Sequence, residues 1–108
     1  MRFEWDEAKN RKNFKKHGIA FETAVLVFDD PNALSFQDRA TDDEERWQIF
    51  RAVYGSIIMV AHVWREENEG EVVIRVISAR SASSYEEGIY EAHKKSGKTA
   101  SRIEAYEG

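Results

Sequence analysis

The chain has 108 residues, with no cysteine, a single proline and no long apolar run. Without cysteine there can be no disulfide framework, no thiolate zinc site and no cysteine nucleophile. The longest apolar run, residues 56–64, is far shorter than the roughly 18 residues that a membrane-spanning helix needs. The N-terminus also lacks the apolar segment of a secretory signal peptide. We therefore expect a cytoplasmic protein that makes no membrane contact.

Length and composition are those of one small domain. A chain of this length can bury a single modest core, and a hydrophobic share of 42% is enough for folding although 33% of the residues are charged. We expect one domain over residues 1–108, with the folded core over about 2–95 and a polar tail after it.

Charge is unevenly spread along the chain. The net charge of -4 argues against a generic nucleic-acid-binding protein, whose domain is usually basic. Residues 1–20, however, carry six basic and three acidic side chains, whereas residues 21–48 carry two basic and eight acidic ones. This asymmetry is compatible with one face that meets phosphate and another that meets a basic protein, or simply with a solvated mixed surface.

The first third of the chain predicts one short strand and two helices. The strand is "RFEW", Asp6 is a suitable N-cap for the helix after it, and Gly18 is a suitable C-terminal glycine. In this basic helix Ala8 and Phe14 are the only clear apolar anchors. Apolar residues at 21, 24, 25 and 28 then have helical spacing, and the proline ends this second helix.

The remainder predicts an antiparallel meander and one more helix. Strand-like runs lie at 33–37, 46–54, 56–66 and 71–80, separated by an acidic loop, by Gly55 and by the turn "ENEG". A helix capped by Ser83 or Ser84 follows and is broken near Gly97. The predicted fold is therefore α+β, with a small antiparallel sheet of four to five strands flanked by two N-terminal helices and one C-terminal helix.

Two arginines interrupt the last strand, "VIRVISARSAS". Residues of equal parity share a face of a sheet, so Arg75 and Arg80 should point to opposite faces unless a bulge lies between them. If Arg65 pairs with Glu71, His62 shares a face with Arg80, and Arg65 shares the other face with Arg75. A slip of one residue exchanges these partners, and the sequence leaves the register open.

Histidine and arginine together could cleave RNA without a metal ion. A neutral imidazole can take the proton from a 2′-hydroxyl, and guanidinium groups can stabilise the charge that builds on the phosphoryl oxygens. The alternative is that His62 is a half-buried strand residue and that the arginines form ion pairs with nearby glutamates. Trp64, at the end of a strand, is the one tryptophan that we predict to be available for base stacking, whereas Trp5 and Trp47 should lie in the core.

Other chemistries have little support. The three histidines are too scattered for a zinc site, and Walker A and dinucleotide-binding glycine patterns are absent. The acidic run "DDEE" does not match a calcium-binding loop. We expect no metal and no cofactor.

The ordered motifs resemble the BrnT toxin family, the toxin half of a bacterial type II toxin-antitoxin pair. The resemblance covers about residues 3–91 and rests on these segments: "FEWDEAKNRKNFKKHGIAFETAVLVFDDP", "EERW", "HVWRE" and "IRVISAR". It implies a fold similar to RelE-type ribonucleases, endoribonuclease activity on RNA, and neutralisation by a BrnA-like antitoxin. Operator DNA would be contacted only through that antitoxin.

The resemblance also implies roles for individual residues. It makes His62 the general base or acid, Arg65 and Arg80 the phosphate clamps, and Lys16 a contact to backbone phosphate. Supporting residues are His17, Glu45, Arg46 and Arg75.

The chain departs from the family pattern after "ISAR". A helix rich in arginine and lysine commonly follows there, whereas this chain has "SASSYEEGIYE". A second hypothesis is therefore that the protein is a catalytically weak toxin homologue, which serves as an interaction module or co-repressor with its antitoxin.

Overall fold

The protein folds as a five-stranded sheet with helices on both faces. The structure is a computed structural model that describes residues 1–29, 33–38 and 46–95. The predicted acidic loop at 39–45 and the predicted helix break near Gly97 lie outside these residues. The elements in chain order are β1 (Arg2–Glu4), α1 (Glu7–His17), α2 (Phe21–Ala24), a 3-10 helix (Val25–Asp29), β2 (Leu34–Asp38), β3 (Arg46–Val53), β4 (Ser56–Glu67), a 3-10 turn (Asn68–Gly70), β5 (Glu71–Ser81) and α3 (Ser84–Lys95).

Both predicted caps of α1 are confirmed. The Asp6 carboxylate accepts hydrogen bonds from the backbone N–H groups of Ala8 and Lys9, which lack partners within the helix. Gly18 ends the helix in the left-handed region, at φ 74°, where a residue with a Cβ would be strained. The N–H of Gly18 donates to the carbonyl of Phe14 at 2.7 Å.

The face of α1 that meets the sheet is polar, so the prediction of Ala8 and Phe14 as anchors is wrong. Asn10 and Asn13 are buried, whereas Ala8 is exposed and the Phe14 residue is 57% exposed. Asn13 accepts from the N–H of Ala79 at 3.1 Å and donates to the carbonyl of Ala79 at 2.8 Å. These bonds satisfy the backbone of β5 where no strand pairs with it, and this need favours an amide over an apolar side chain.

The second predicted helix divides into two types of helix. The residues Phe21–Ala24 are α-helical and Val25–Asp29 form a tighter 3-10 helix. Of the four residues expected on the buried face, Phe21 and Ala24 are fully buried and Val25 and Phe28 are partly buried, while Val27, which was not among them, is fully buried. A 3-10 segment is commonly found at a helix end, and here it precedes the proline.

The sheet has the strand order β1-β5-β4-β3-β2. Strands β2 to β5 form the predicted antiparallel meander, and the predicted α+β class is confirmed. β1 runs parallel to β5 and pairs with residues 73–75, so the sheet is mixed rather than wholly antiparallel. Parallel pairing requires a long crossover between the two strands, and the chain between β1 and β5 contains the helices and the rest of the sheet.

A bulge in β5 interrupts its pairing with β4. Ala61 faces Ser78 and His62 faces Val76, so β5 carries one extra residue, Ile77, at this point. β4 itself stays regular, because its pairing with β3 runs without a shift. The bulge reverses the relation between parity and face for every residue of β5 that follows it.

Each face of the sheet carries one apolar cluster. The first cluster packs under α1, α2 and the 3-10 helix and includes Phe21, Val27, Val60, Val76 and Ala79. The second packs under α3 and includes Leu34, Phe50, Met59, Ala61 and Tyr90. We refer to these sides as the α1 face and the α3 face. Among the described residues, no helix is long and apolar enough to cross a membrane.

Candidate functional site

Four of the predicted site arginines lie on the α3 face of the sheet. Arg80 is opposite Met59 and Arg75 is opposite Val63, and these two β4 residues have equal parity on a regular strand. Arg65 has the same parity in β4, and Arg46 has that of Gln48, which faces Ala61. Arg75 and Arg80 therefore do not point to opposite faces, because the exception to that expectation, a bulge between them, is present. The bulge between them brings both side chains to one face.

Arg65 is held in a network of ion pairs at the β1 side of the sheet. Its guanidinium donates to both carboxylate oxygens of Glu4 at 2.9 and 3.2 Å and also contacts Glu67 at 2.7 Å. Arg2 reaches Glu67 at 2.7 Å from the other side. The hydrogen bond from Arg65 lowers the pKa of the Glu4 carboxyl, and the two carboxylates raise the pKa of Arg65. These side chains are about one third to one half exposed, so solvent screens the ion pairs and the network contributes little to the stability of the fold.

Arg80 is paired with a carboxylate from the first turn of α3. Its two terminal nitrogens donate to Glu86 at 2.8 and 3.0 Å, in a bidentate arrangement. Glu86 also accepts from the N–H of Ser83 at 2.8 Å, while the Ser83 hydroxyl accepts from the N–H of Glu86 at 3.2 Å. This reciprocal pair is a capping box, and it confirms Ser83 as the helix cap. Arg80 and Ser83 together lower the pKa of Glu86 to about 2.

Arg75 and Arg46 differ from Arg65 and Arg80 in their pairing. Within the described part of the chain, Arg75 is exposed and makes no ion pair, although its charge helps to lower the pKa of Glu4 beside it in the sheet. The Nε atom of Arg46 is buried and has no hydrogen-bond partner among the residues that the structure describes. Glu45, the residue next to it, lies outside the described residues. Arg75 is thus the predicted site arginine most open to an anion from solvent.

His62 lies on the α1 face, away from the four arginines. Its parity is that of Val60, its ring packs edge-on against Phe28 with centroids 4.8 Å apart, and it is 5% exposed. Nδ1 lies 3.1 Å from the carbonyl oxygen of Val60, which fixes the ring as a donor at that atom. Burial lowers the pKa of His62 to about 4, so the imidazole is neutral at physiological pH. The expected grouping of His62 with Arg65 and Arg80 is not supported by this geometry.

The remaining predicted residues are spread over the α1 side. Lys16 and His17 are exposed at the C-terminal end of α1. Trp47 is 7% exposed and lies opposite His62, as expected for a core residue, and Trp5 packs edge-on against Phe21. Trp64 is 46% exposed and so is available for stacking, but its parity places it on the α1 face and not beside Arg65.

No cluster of three or more histidine or carboxylate side chains in the described ranges could hold a metal ion. The chemistry that these residues offer is that of fixed positive charge. Guanidinium groups bind phosphate in bidentate fashion and keep their charge at any physiological pH. Arg75 and Arg80 can therefore stabilise an anionic group at the surface of the sheet, provided that Glu86 releases Arg80.

Two residues that fix the surroundings of β5 are not predicted from the sequence. Glu86 was seen only as part of an acidic helix, yet the spacing Ser83-x-x-Glu86 is the signature of a capping box and could have located it. Asn13 had no comparable local signal. Its partner Ala79 is 66 residues away, at an edge of β5 that the sequence does not reveal.

The fold is a small α+β domain whose sheet carries the four candidate arginines on one face, two of them paired with carboxylates. Residues 5–86 match the model of a family described as the ribonuclease toxin, BrnT, of type II toxin-antitoxin systems. Because this match covers most of the chain, the protein belongs to the BrnT family. A comparison with curated proteins found no significant match.

Proposed function

We propose that the protein is an endoribonuclease toxin that cleaves RNA without a metal ion and is neutralised by a cognate DNA-binding antitoxin. Membership of a family of ribonuclease toxins carries this proposal. The gathering of four arginines on one sheet face supports it, because that surface suits a phosphodiester backbone.

The proposed reaction is an internal transfer at phosphorus. The ribose 2′-hydroxyl attacks the adjacent phosphate, the bond to the 5′-oxygen of the next nucleotide breaks, and the products carry a 2′,3′-cyclic phosphate and a 5′-hydroxyl. The 2′-hydroxyl proton passes to solvent, and the leaving 5′-oxygen takes one up. Negative charge grows on the non-bridging oxygens, and guanidinium groups placed there lower the barrier.

We assign roles to individual residues in this proposal from their exposure and pairing. Arg75 is the first phosphate contact because it is exposed and makes no ion pair among the described residues. Arg80 becomes the second contact when phosphate displaces Glu86. Arg65 orients the edge of the site through its ion pairs, and Arg46 supports it. His62, on the other face, maintains the packing of the sheet and is not the proton acceptor.

The central test is expression of the chain alone in a bacterial host. We expect growth arrest and loss of bulk RNA, whereas the matched Arg75→Ala/Arg80→Ala double variant should leave both unaffected. Purified protein should cut RNA in the presence of EDTA, since the proposed chemistry uses no metal ion. Normal growth with intact RNA would count against a toxin, and loss of cleavage on chelation would exclude the metal-free mechanism.

The antitoxin part of the proposal has its own test. The gene next to this one should encode a small basic DNA-binding protein, similar to BrnA. Co-expression of that protein should restore growth, and the two should purify together and retard operator DNA that the toxin alone leaves unshifted. Retardation of operator DNA by the toxin alone would contradict contact through the antitoxin.

A second candidate function is that of a weakened toxin that binds its antitoxin as a co-repressor. The bidentate pair between Arg80 and Glu86 favours it, because a carboxylate occupies the arginine that a phosphate would need. In that case the double variant should keep full antitoxin binding and operator repression, with no RNA cleavage to lose. Loss of cleavage in a folded double variant would exclude a function limited to binding.

A further inference from the structure

A groove on the α1 side lies between the end of α1 and the turn that joins β3 to β4. It has a volume of about 320 Å³, close to the lower limit for small-molecule sites. Two aromatic residues line it and remain exposed, Phe14 at 57% and Tyr54 at 88%. Polar groups from His17 and Ser81 complete part of its wall. An open groove with two exposed rings offers surfaces on which a flat ligand can stack.

Tyr54 occupies a backbone position that does not favour tyrosine. The two-residue turn Tyr54-Gly55 follows the pair Val53 and Ser56, and both turn residues have positive φ, 50° and 84°. This combination is typical of a type I′ turn, in which asparagine followed by glycine is preferred. Because the tyrosine is almost fully exposed, it gains little from burial in return for the strain. Folding therefore does not account for an aromatic residue here, whereas ligand binding does.

The surface beside the groove is positively charged, and described carboxylates of the protein do not form ion pairs with these charges. Arg11, Phe14 and Lys15 have the spacing of one helix face, so two cations flank the ring. The other cations of α1, at positions 9, 12 and 16, are exposed as well. None of these five makes an ion pair with a carboxylate in the part of the chain that the structure describes. Arg65 and Arg80 on the sheet are paired, whereas Arg75 is not, so among the described residues α1 carries more unpaired positive charge than the sheet does.

We propose that this groove and the adjoining face of α1 bind single-stranded RNA. A base stacks on Tyr54 and Phe14, and Arg11 and Lys15 contact the flanking phosphates. Stacking on an aromatic ring combined with cations along the backbone is the usual mode of single-strand binding without strong sequence preference. Because this surface is positively charged, it favours RNA as the occupant over a protein segment with few acidic residues. The inference deepens the proposed ribonuclease function and rests on it for the identity of the nucleic acid.

The groove also lies close to the proposed reaction site along the chain. Ser81 lines the groove, and Arg80, the preceding residue, carries its side chain on the α3 face. This end of β5 lies beyond the residues that pair with β1. A single strand that passes around this end can hold one base in the groove and present a neighbouring phosphate to Arg80.

Tyr54→Asn gives a test that does not threaten the fold. Binding is measured by fluorescence anisotropy with a labelled 12-nucleotide RNA that is 2′-O-methylated throughout, so that no 2′-hydroxyl is free to react. Asparagine suits the turn, and we expect an unchanged or higher melting temperature together with an affinity reduced about 5- to 150-fold. A 2-aminopurine base in the RNA should be quenched by the wild type and less so by the variant.

Matched controls separate stacking and charge from general effects. Tyr85→Ala removes another exposed ring, on α3, and should leave the affinity unchanged. Arg11→Gln/Lys15→Gln should reduce the slope of log affinity against log salt by roughly 1.4, since each single-strand phosphate contact contributes about 0.7. Lys94→Gln, which removes a cation from α3, should not change that slope.

The outcomes distinguish this inference from the ribonuclease proposal. Equal RNA affinity of the wild type and the Tyr54→Asn variant, or no binding by the wild type, would overturn the groove as an RNA site. If the Tyr54→Asn variant changes self-association on sedimentation while RNA binding stays intact, the groove would instead be assigned to contact with a second copy of the chain. If stacking and charge behave as expected but unmodified RNA is never cut, the site stands and the ribonuclease proposal fails.

Discussion

Arg80 and Glu86 form a bidentate ion pair at 2.8 and 3.0 Å, which joins the end of β5 to the first turn of α3. The same carboxylate caps the helix through Ser83. One acidic side chain thus has two roles, since it holds the helix start and neutralises the arginine that a phosphate would use. In the proposed reaction, the contribution of Arg80 would depend on how easily an anionic substrate displaces Glu86.

Replacing Glu86 with glutamine should raise RNA cleavage and lower stability. Without the carboxylate, Arg80 is free to bind phosphate, so we expect a several-fold increase in kcat/KM on a fluorogenic RNA. Glutamine can still accept from the N–H of Ser83, so the capping box is kept, and loss of the partly exposed ion pair with Arg80 should cost about 1 kcal/mol or less in the free energy of unfolding. Urea denaturation measures that cost, and product analysis measures the cleavage.

Glu87→Gln is the matched control for this change. Glu87 is exposed in the same helical turn, and its side chain makes no hydrogen bond or ion pair among the described residues. It should alter neither cleavage nor stability beyond about 0.5 kcal/mol. If both variants increase cleavage equally, removal of negative charge near the site explains the effect and release of Arg80 does not.

Arg75 and Arg65 should respond differently to truncation. Arg75 makes no ion pair among the described residues, so Arg75→Ala should reduce cleavage at least tenfold with no change in melting temperature. Arg65→Ala breaks the contacts with Glu4 and Glu67 and should change cleavage less. Initial rates and melting curves of the two variants check this order, and a larger loss with Arg65→Ala would make Arg65 the direct phosphate contact.

Local signals in the sequence were sufficient for much of the fold. Asp6, Gly18 and Ser83 mark helix ends because a cap depends on residues only a few positions away. The strands of the meander were found for the same reason, from apolar runs separated by turns. The parallel pairing of β1 with β5 was not found, because it joins residues more than 70 positions apart, such as Arg2 and Val73.

The candidate site was harder to predict because it depends on one extra residue. Parity separates Arg75 from Arg80 on a regular strand, and Ile77 in the bulge cancels that separation. The same bulge separates Arg80 from His62. No residue in "IRVISAR" marks a bulge. The position of the bulge follows from the pairing of β5 with β4 and from the hydrogen bonds between Asn13 and Ala79. The grouping of these residues in the structure therefore differs from the expected one, and their roles stay predictions.

Asn13 should be important for the stability of the fold. Asn13→Ala leaves the N–H and carbonyl of Ala79 and the carbonyl of Ile19 without this partner. An unpaired buried polar group costs about 1–3 kcal/mol, so we expect a total loss of about 3 kcal/mol or more in urea denaturation. Asn68→Ala, at an exposed asparagine in the β4–β5 turn, is the control and should change stability by less than about 0.5 kcal/mol. A small effect of Asn13→Ala would show that water replaces the amide.

His62 should make the protein less stable in mild acid. Its pKa is lowered from 6.5 to about 4 by burial, so the unfolded chain binds a proton in this range that the folded chain does not. Its contribution is fully present above pH 6.5 and is lost progressively as pH falls towards 4, by about 3 kcal/mol in total. Glu86, with a pKa of about 2 instead of 4.5, acts mainly at lower pH.

Urea denaturation from pH 7.5 to 4.5 should show this slope of unfolding free energy against pH in the wild type and in an exposed control, His17→Gln, but not in His62→Phe. An unchanged slope in His62→Phe would mean that another group titrates, and that His62 is more accessible to protons than its packing against Phe28 indicates.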